Sequence, residues 1–162
     1  MINISELKKA ASNRKEEHTK VLAVLKKKNS SDVDKVFQRL HDEAFEKIDC
    51  LQCANCCKTT SPVFYQRDIE RLAKCFRVRP SEFIEQSLHI DEDNDYVLNS
   101  APCPFLGDDN YCSVYDSRPT ACREYPHTDR KRVQQIFNLT LKNASVCPAV
   151  FHILENIRTA KP

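Results

Sequence analysis

The stretch Cys50-Leu51-Gln52-Cys53-Ala54-Asn55-Cys56-Cys57 places four thiols within eight residues. A two-residue gap lets both sulfurs of a pair turn toward one ion. Such knuckles need a tight turn, usually built with glycine. None is present here, and Asn55 is the candidate, because asparagine tolerates the left-handed conformation. Cys56 and Cys57 are adjacent, so their side chains diverge. One of them is expected to serve a second site or to pack.

Further along come Cys103-Pro104, Cys112, Cys122 and Cys147-Pro148. With the first four they make eight candidate ligands: Cys50, Cys53, Cys56, Cys57, Cys103, Cys112, Cys122 and Cys147. Eight thiols divide into two sets of four, or into one four-thiol site with the others structural. Thiolates are soft donors that hold zinc or iron–sulfur clusters. The ninth, Cys75, stands apart within a helical stripe ending at Phe76, and is expected to be a small buried hydrophobe.

The compartment decides between metal and disulfides. The sequence starts Met-Ile-Asn-Ile-Ser-Glu-Leu-Lys-Lys, with no apolar signal region. Its apolar runs fall far short of the roughly 20 residues that span a bilayer. The expected location is the cytoplasm, away from membranes. Thiols are kept reduced there, so a dense cysteine pattern points to metal.

Around the cysteines the chain reads as mainly α with irregular cysteine-rich loops. Residues 1–48 are expected to form a helical hairpin packed on a small metal-stabilised domain at 49–148, followed by a helix end and tail at 149–162. In the first helix Ile4, Leu7, Ala11, Val21 and Leu25 recur at helical spacing. Arg14 and His18 interrupt that stripe, which predicts weak burial in the middle turns. Asn29-Ser30-Ser31-Asp32 is a turn and N-cap signal. The second helix presents Val33, Val36, Phe37, Leu40, Ala44, Phe45 and Ile48. Helices are also expected over Gln66–Phe76, from Pro80 as a first residue, and over Val146–Arg158. Between 95 and 125 the chain looks irregular, with turns at Gly107–Asn110 and Arg118-Pro119.

Composition removes other functions. The 162 residues include one glycine, Gly107, and no Trp. A dinucleotide fingerprint, a P-loop and a nucleophile elbow each need several glycines. A net charge of +2 is too small for a protein that wraps nucleic acid. Residues 67–88 have a helix-turn-helix cadence, but Glu82 and Glu85 on the second helix would repel phosphates, so no nucleic-acid partner is expected. Lys58, Arg118 and Arg123 neighbour candidate ligands and could donate to thiolate sulfur. His127 is the best placed histidine for a nitrogen ligand, although eight thiols already suffice.

The ordered blocks resemble a known family. The Cys-x2-Cys-x2-Cys-Cys run is followed by Asp68-Ile69-Glu70-Arg71-Leu72-Ala73, by Cys103-Pro104-Phe105-Leu106 and by Tyr111-Cys112-Ser113-Val114-Tyr115. Arg118-Pro119-Thr120-Ala121-Cys122-Arg123-Glu124-Tyr125-Pro126 and Cys147-Pro148 complete the series. Together they are similar to the YkgJ-type CxxCxxCC cysteine-cluster family, over about residues 49–148. Ala54 departs from the pattern, where members often carry glycine.

The resemblance implies cysteine-bound zinc or iron. Relatives with a similar cluster include flagellin lysine methylases, for which an iron–sulfur cluster is described. That, and a three-cysteine spacing like the start of a bacterial ferredoxin motif, favours iron over zinc by a small margin. The expected function is metal chelation, with the metal ion or cluster as the main partner. The alternatives are a small iron–sulfur enzyme related to lysine methylases, or a module with structural zinc that binds a protein through its N-terminal hairpin.

Overall fold

The computed structural model describes residues 2–158 and is mainly helical. Met1 and the tail beyond Arg158 lie outside the described residues. The chain divides into two compact units. One joins residues 1–49 to 126–162, and the other is the continuous stretch Cys50–Tyr125.

In the first unit, α1 (Ile4–Leu25) is capped by the Asn3 side chain, which accepts from the Ser5 amide at 3.2 Å. α2 (Ser30–Phe45) begins where the sequence signals it. The Asn29 side chain accepts from the Ser31 and Asp32 amides at 2.9 and 3.3 Å. Such caps satisfy amides that a helix start leaves without intrahelical partners, each worth about 1 kcal/mol.

Two further helices complete the unit, α8 (Phe137–Asn143) and α9 (Pro148–Asn156). α9 is the apolar centre, burying Pro148, Ala149, Val150, Phe151, Ile153 and Leu154. Both α1 and α2 make their main contacts with α9 rather than with each other. Val33, Val36, Phe37, Leu40 and Ala44 are the buried stripe of α2, and Phe37 stacks on Phe137 at 5.6 Å. The start of α9 is later than the apolar spacing suggests: Cys147 is its N-cap and Pro148 its first residue. Proline there loses no helical hydrogen bond.

The weak burial expected at the middle of α1 is not found. The inward stripe is Leu7, Ala11, His18, Leu22 and Leu25, and Ile4 is exposed. His18 is 1% exposed, with its ring edge-on to Phe151 at 5.8 Å. Its Nε2 meets Glu155 Oε1 at 2.7 Å, and Arg14 Nε donates to the same oxygen at 2.8 Å. A polar residue can face a core when its partner comes from the neighbouring helix.

This pairing makes the first unit acid-sensitive. Burial opposes the Glu155 charge, but the bonds to Arg14 and His18 outweigh it and hold the carboxyl below the usual carboxylate range. A depressed acid contributes stability that is complete above its unfolded pKa of about 4.3 and lost as pH falls through the folded value. Urea unfolding of the first unit should therefore show falling stability below about pH 4.3. The Glu155→Gln variant should show a flatter dependence, and equal slopes would refute the linkage.

In the second unit, α3 (Cys50–Cys53) and α4 (Asn55–Thr59) are single turns. α5 (Gln66–Phe76) and α6 (Pro80–Ser87) follow, then a ribbon of β1 (Leu88–Ile90) and β2 (Tyr96–Leu98). The strands pair antiparallel, Leu88 with Leu98, His89 with Val97 and Ile90 with Tyr96. Three-residue strands are too short for alternation to show in sequence. A last short helix, α7, spans Thr120–Glu124.

The core of this unit gathers Phe64, Ile69, Leu72, Ala73, Phe83, Leu88, Leu98 and Val114. Phe76 stays 43% exposed although it stacks on Phe105 and Phe83 at 5.4 and 6.0 Å. Cys75, expected in the buried stripe of α5, is exposed. The stripe is Ile69, Leu72 and Ala73, and position 75 falls off it.

Candidate metal centre

The joint between α3 and α4 is left-handed, as a tight knuckle requires, but at Ala54 rather than Asn55. Ala54 has φ 46° and ψ 16°. A left-handed L-residue costs about 1–2 kcal/mol. Its methyl group is buried, which offsets part of that. The family-like departure therefore falls on the very residue whose backbone favours glycine.

Two hydrogen bonds tie this joint to the loop that follows the ribbon. Cys103 N donates to Cys57 O at 2.8 Å, and Asn110 Nδ2 donates to Gln52 O at 3.1 Å. Between Cys103 and Cys112 the chain reverses. Asn110 N donates to Gly107 O at 3.0 Å, Gly107 N donates to Tyr111 O at 2.8 Å, and Leu106 pairs with Cys112. The turn is close-packed at Gly107, where a Cβ would lie 2.7 Å from Asp109 Oδ1, a side-chain atom that would have to shift, and 3.3 Å from Tyr111 O. Beyond Cys112, Val114 anchors the chain in the core, and α7 carries Cys122.

These constraints bring Cys57, Cys103, Cys112 and Cys122 within one another's electrostatic field. The hydrogen bond from Cys56 is the main reason the Cys57 thiol is lowered to about 7, with the Lys58 charge helping against burial. Burial raises Cys122 to about 12, and charge on Cys57, Cys103 and Cys112 adds to the rise. Burial also raises Cys103, reinforced by charge on Cys57 and Cys112, and raises Cys112, reinforced by Cys57. The set thus accepts one negative charge readily and resists the next. A cation among the thiols inverts that balance, since a coordinating thiol is deprotonated outright.

The remaining candidates are placed differently. Cys50 and Cys53 bound α3, and Cys56 serves Cys57. Cys147 is buried and is the single cysteine of the first unit, which also contains His127. All nine cysteines stand as thiols. Arg118 lies over the Tyr115 ring at 3.8 Å, and its charge favours ionised Cys112 and Cys122. Arg123 donates to the carbonyls of Asp116 and Arg118 rather than to sulfur.

Among the described residues, no group of three or more His, Cys, Asp or Glu is arranged as a ready-made metal cage. The donor chemistry nevertheless fits a thiophilic ion: four thiols in one unit, one of them ionising near neutrality.

A small unit carrying eight thiols, most of them on short turns, has the donor chemistry of a metal-chelating domain. A family model described as "CxxCxxCC: Putative zinc- or iron-chelating domain" matches residues 49–148. The chain belongs to this CxxCxxCC family. Searches of curated proteins and of solved structures find no match.

Among the described residues, no helix is long and apolar enough to cross a membrane. The sequence reading missed Asp68, Arg71 and Thr120. All three lie in the quoted blocks but carry no thiol, so they drew no role. The signal was an Asp and an Arg three apart beside the apolar stripe of α5.

Proposed function

We propose that this protein chelates zinc or iron through a primary set of Cys57, Cys103, Cys112 and Cys122. Cys50, Cys53 and Cys56 are further candidate thiols of the same unit, and the eighth candidate, Cys147, belongs to the other unit. The hydrogen bond from Cys103 N to Cys57 O and the pairing of Leu106 with Cys112 tie three of these cysteines to one reversal of the chain, which supports this reading, and charge on Cys57 raises the other three thiols. Bound metal would supply the positive charge that lets all four ionise together. Ligation by thiols from separate turns would couple metal binding to local ordering.

Iron is favoured over zinc. The further thiols Cys50, Cys53 and Cys56 follow the spacing with which bacterial ferredoxin clusters begin, so a cluster would take ligands from them as well as from the primary four, whereas structural zinc sites use two separated pairs. The reduced thiols such a site needs suit the cytoplasm.

The test is anaerobic purification followed by metal and acid-labile sulfide analysis. Iron with matching sulfide supports a cluster. Zinc without sulfide supports a mononuclear site. A folded chain that contains neither metal and takes up neither on reconstitution overturns the proposal.

A further inference from the structure

Asp68 is fully buried, yet it is a carboxylate with no thiol or metal role in the sequence reading. Its Oδ1 accepts three hydrogen bonds: from Arg71 Nη2 at 2.7 Å, from Thr120 Oγ1 at 2.9 Å and from Thr120 N at 3.1 Å. Its Oδ2 accepts from Tyr65 N at 3.2 Å. Thr120 is the first residue of α7, and Cys122 lies two residues further on. The carboxylate therefore caps the helix that carries a primary thiol.

Arg71, one turn along α5, holds the preceding segment. Its Nε donates to Ser117 O at 3.2 Å, and its Nη2 donates to Arg118 O at 2.8 Å. The chain from Cys112 to Cys122 is thus pinned at three nearby points, 117, 118 and 120, by two side chains of one helix. A five-residue helix has little stability of its own. These contacts from α5 reach the first residue of α7, two positions before Cys122.

A buried charge with a partner on each side costs less than one left unpaired. An apolar pair would pack at least as well if packing were the sole requirement. The charged arrangement instead fixes direction: the carboxylate reads the amide and hydroxyl of Thr120, and the guanidinium reads two carbonyls.

We propose that Asp68 and Arg71 are positioning residues that set Cys122, and through the 115–118 turn Cys112, for metal ligation. This rests on the chelation reading above. It names the part of the scaffold that governs that site's affinity.

The experiment compares the full-length parent with Asp68→Asn, Thr120→Val and Thr120→Ser. Each is titrated with Co²⁺, whose sulfur-to-metal absorption grows with the number of thiolates bound. Each metal-stripped chain is also alkylated with iodoacetamide, and labelling is followed at every cysteine by mass spectrometry. Asp68→Asn and Thr120→Val should weaken Co²⁺ binding by about 10–100-fold, the usual effect of losing a group that orients a ligand. Labelling of Cys122 should accelerate while that of Cys57 stays at the parent rate. Thr120→Ser keeps the hydroxyl and should behave as the parent.

Parent-like affinity and Cys122 labelling in Thr120→Val would overturn the proposal. So would a uniform rise in labelling at every thiol with loss of helical circular dichroism, which marks a general structural role. If the parent chain binds no Co²⁺ or Zn²⁺ and takes up no iron on anaerobic reconstitution, the chelation reading fails, while the alkylation arm still decides whether the clamp positions Cys122.

Discussion

Cys122→Ser is expected to strip most of the bound metal, whereas Cys75→Ser leaves metal content unchanged. A hydroxyl is a harder and far less acidic donor than a thiol. Structural zinc sites bind with about 10–16 kcal/mol, so one ligand of four contributes roughly 3 kcal/mol, or about two orders of magnitude in affinity. Cys57→Ser, Cys103→Ser and Cys112→Ser should behave alike. Cys75 is exposed on α5 and outside the coupled set.

Cys56→Ala is the informative intermediate, because it removes the hydrogen bond that lowers Cys57 without removing a primary thiol. Metal retained in Cys147→Ser would shrink the ligand set to thiols of the second unit. Metal-to-protein ratios after gel filtration decide each case. Equal losses in Cys75→Ser and Cys122→Ser would refute the assignment.

Removal of metal is expected to loosen residues 50–125 selectively. The apolar core of that unit is small, and its chain between 100 and 125 is held mainly by turn hydrogen bonds and a few side-chain bonds. Ligation free energy is folding free energy in such a domain. The first unit has its own core around α9 and no thiol cluster. Amide exchange after chelation should therefore speed up through α3, α4, α7 and the 103–112 reversal, while α2 and α9 keep their protection. Identical protection with and without metal would show that apolar packing holds the second unit together.

Much of this arrangement could be read in the sequence where side-chain periodicity carries it. The α2 stripe and its Asn29 cap, the limits of α5 and the Pro80 start of α6 all follow from local rules. The partner of α1 did not. Arg14 and His18 looked like interruptions because Glu155, which pairs with both, lies 137 positions beyond His18. The thiol pattern identified the chemistry, but adjacency could not rank Cys56 against Cys57. The charge of Cys57 bears on Cys103, Cys112 and Cys122, residues far along the chain, which no local pattern shows. Asn55 was the sensible residue for a left-handed joint. The chain places that joint at Ala54, where two single-turn helices must change direction between Cys53 and Cys56.

The first unit is assembled from two separated stretches, and this has a temporal consequence during synthesis. At about 5–20 residues per second, roughly 5–20 seconds pass between completion of α2 and the emergence of α9. Throughout that interval Val33, Val36, Phe37 and Leu40 lack the helix that covers them. The stretch 50–125 emerges meanwhile with every one of its own contacts available. Loading of metal can thus precede closure of the first unit, so a nascent chain starved of metal would hold two unfinished units on the ribosome instead of one.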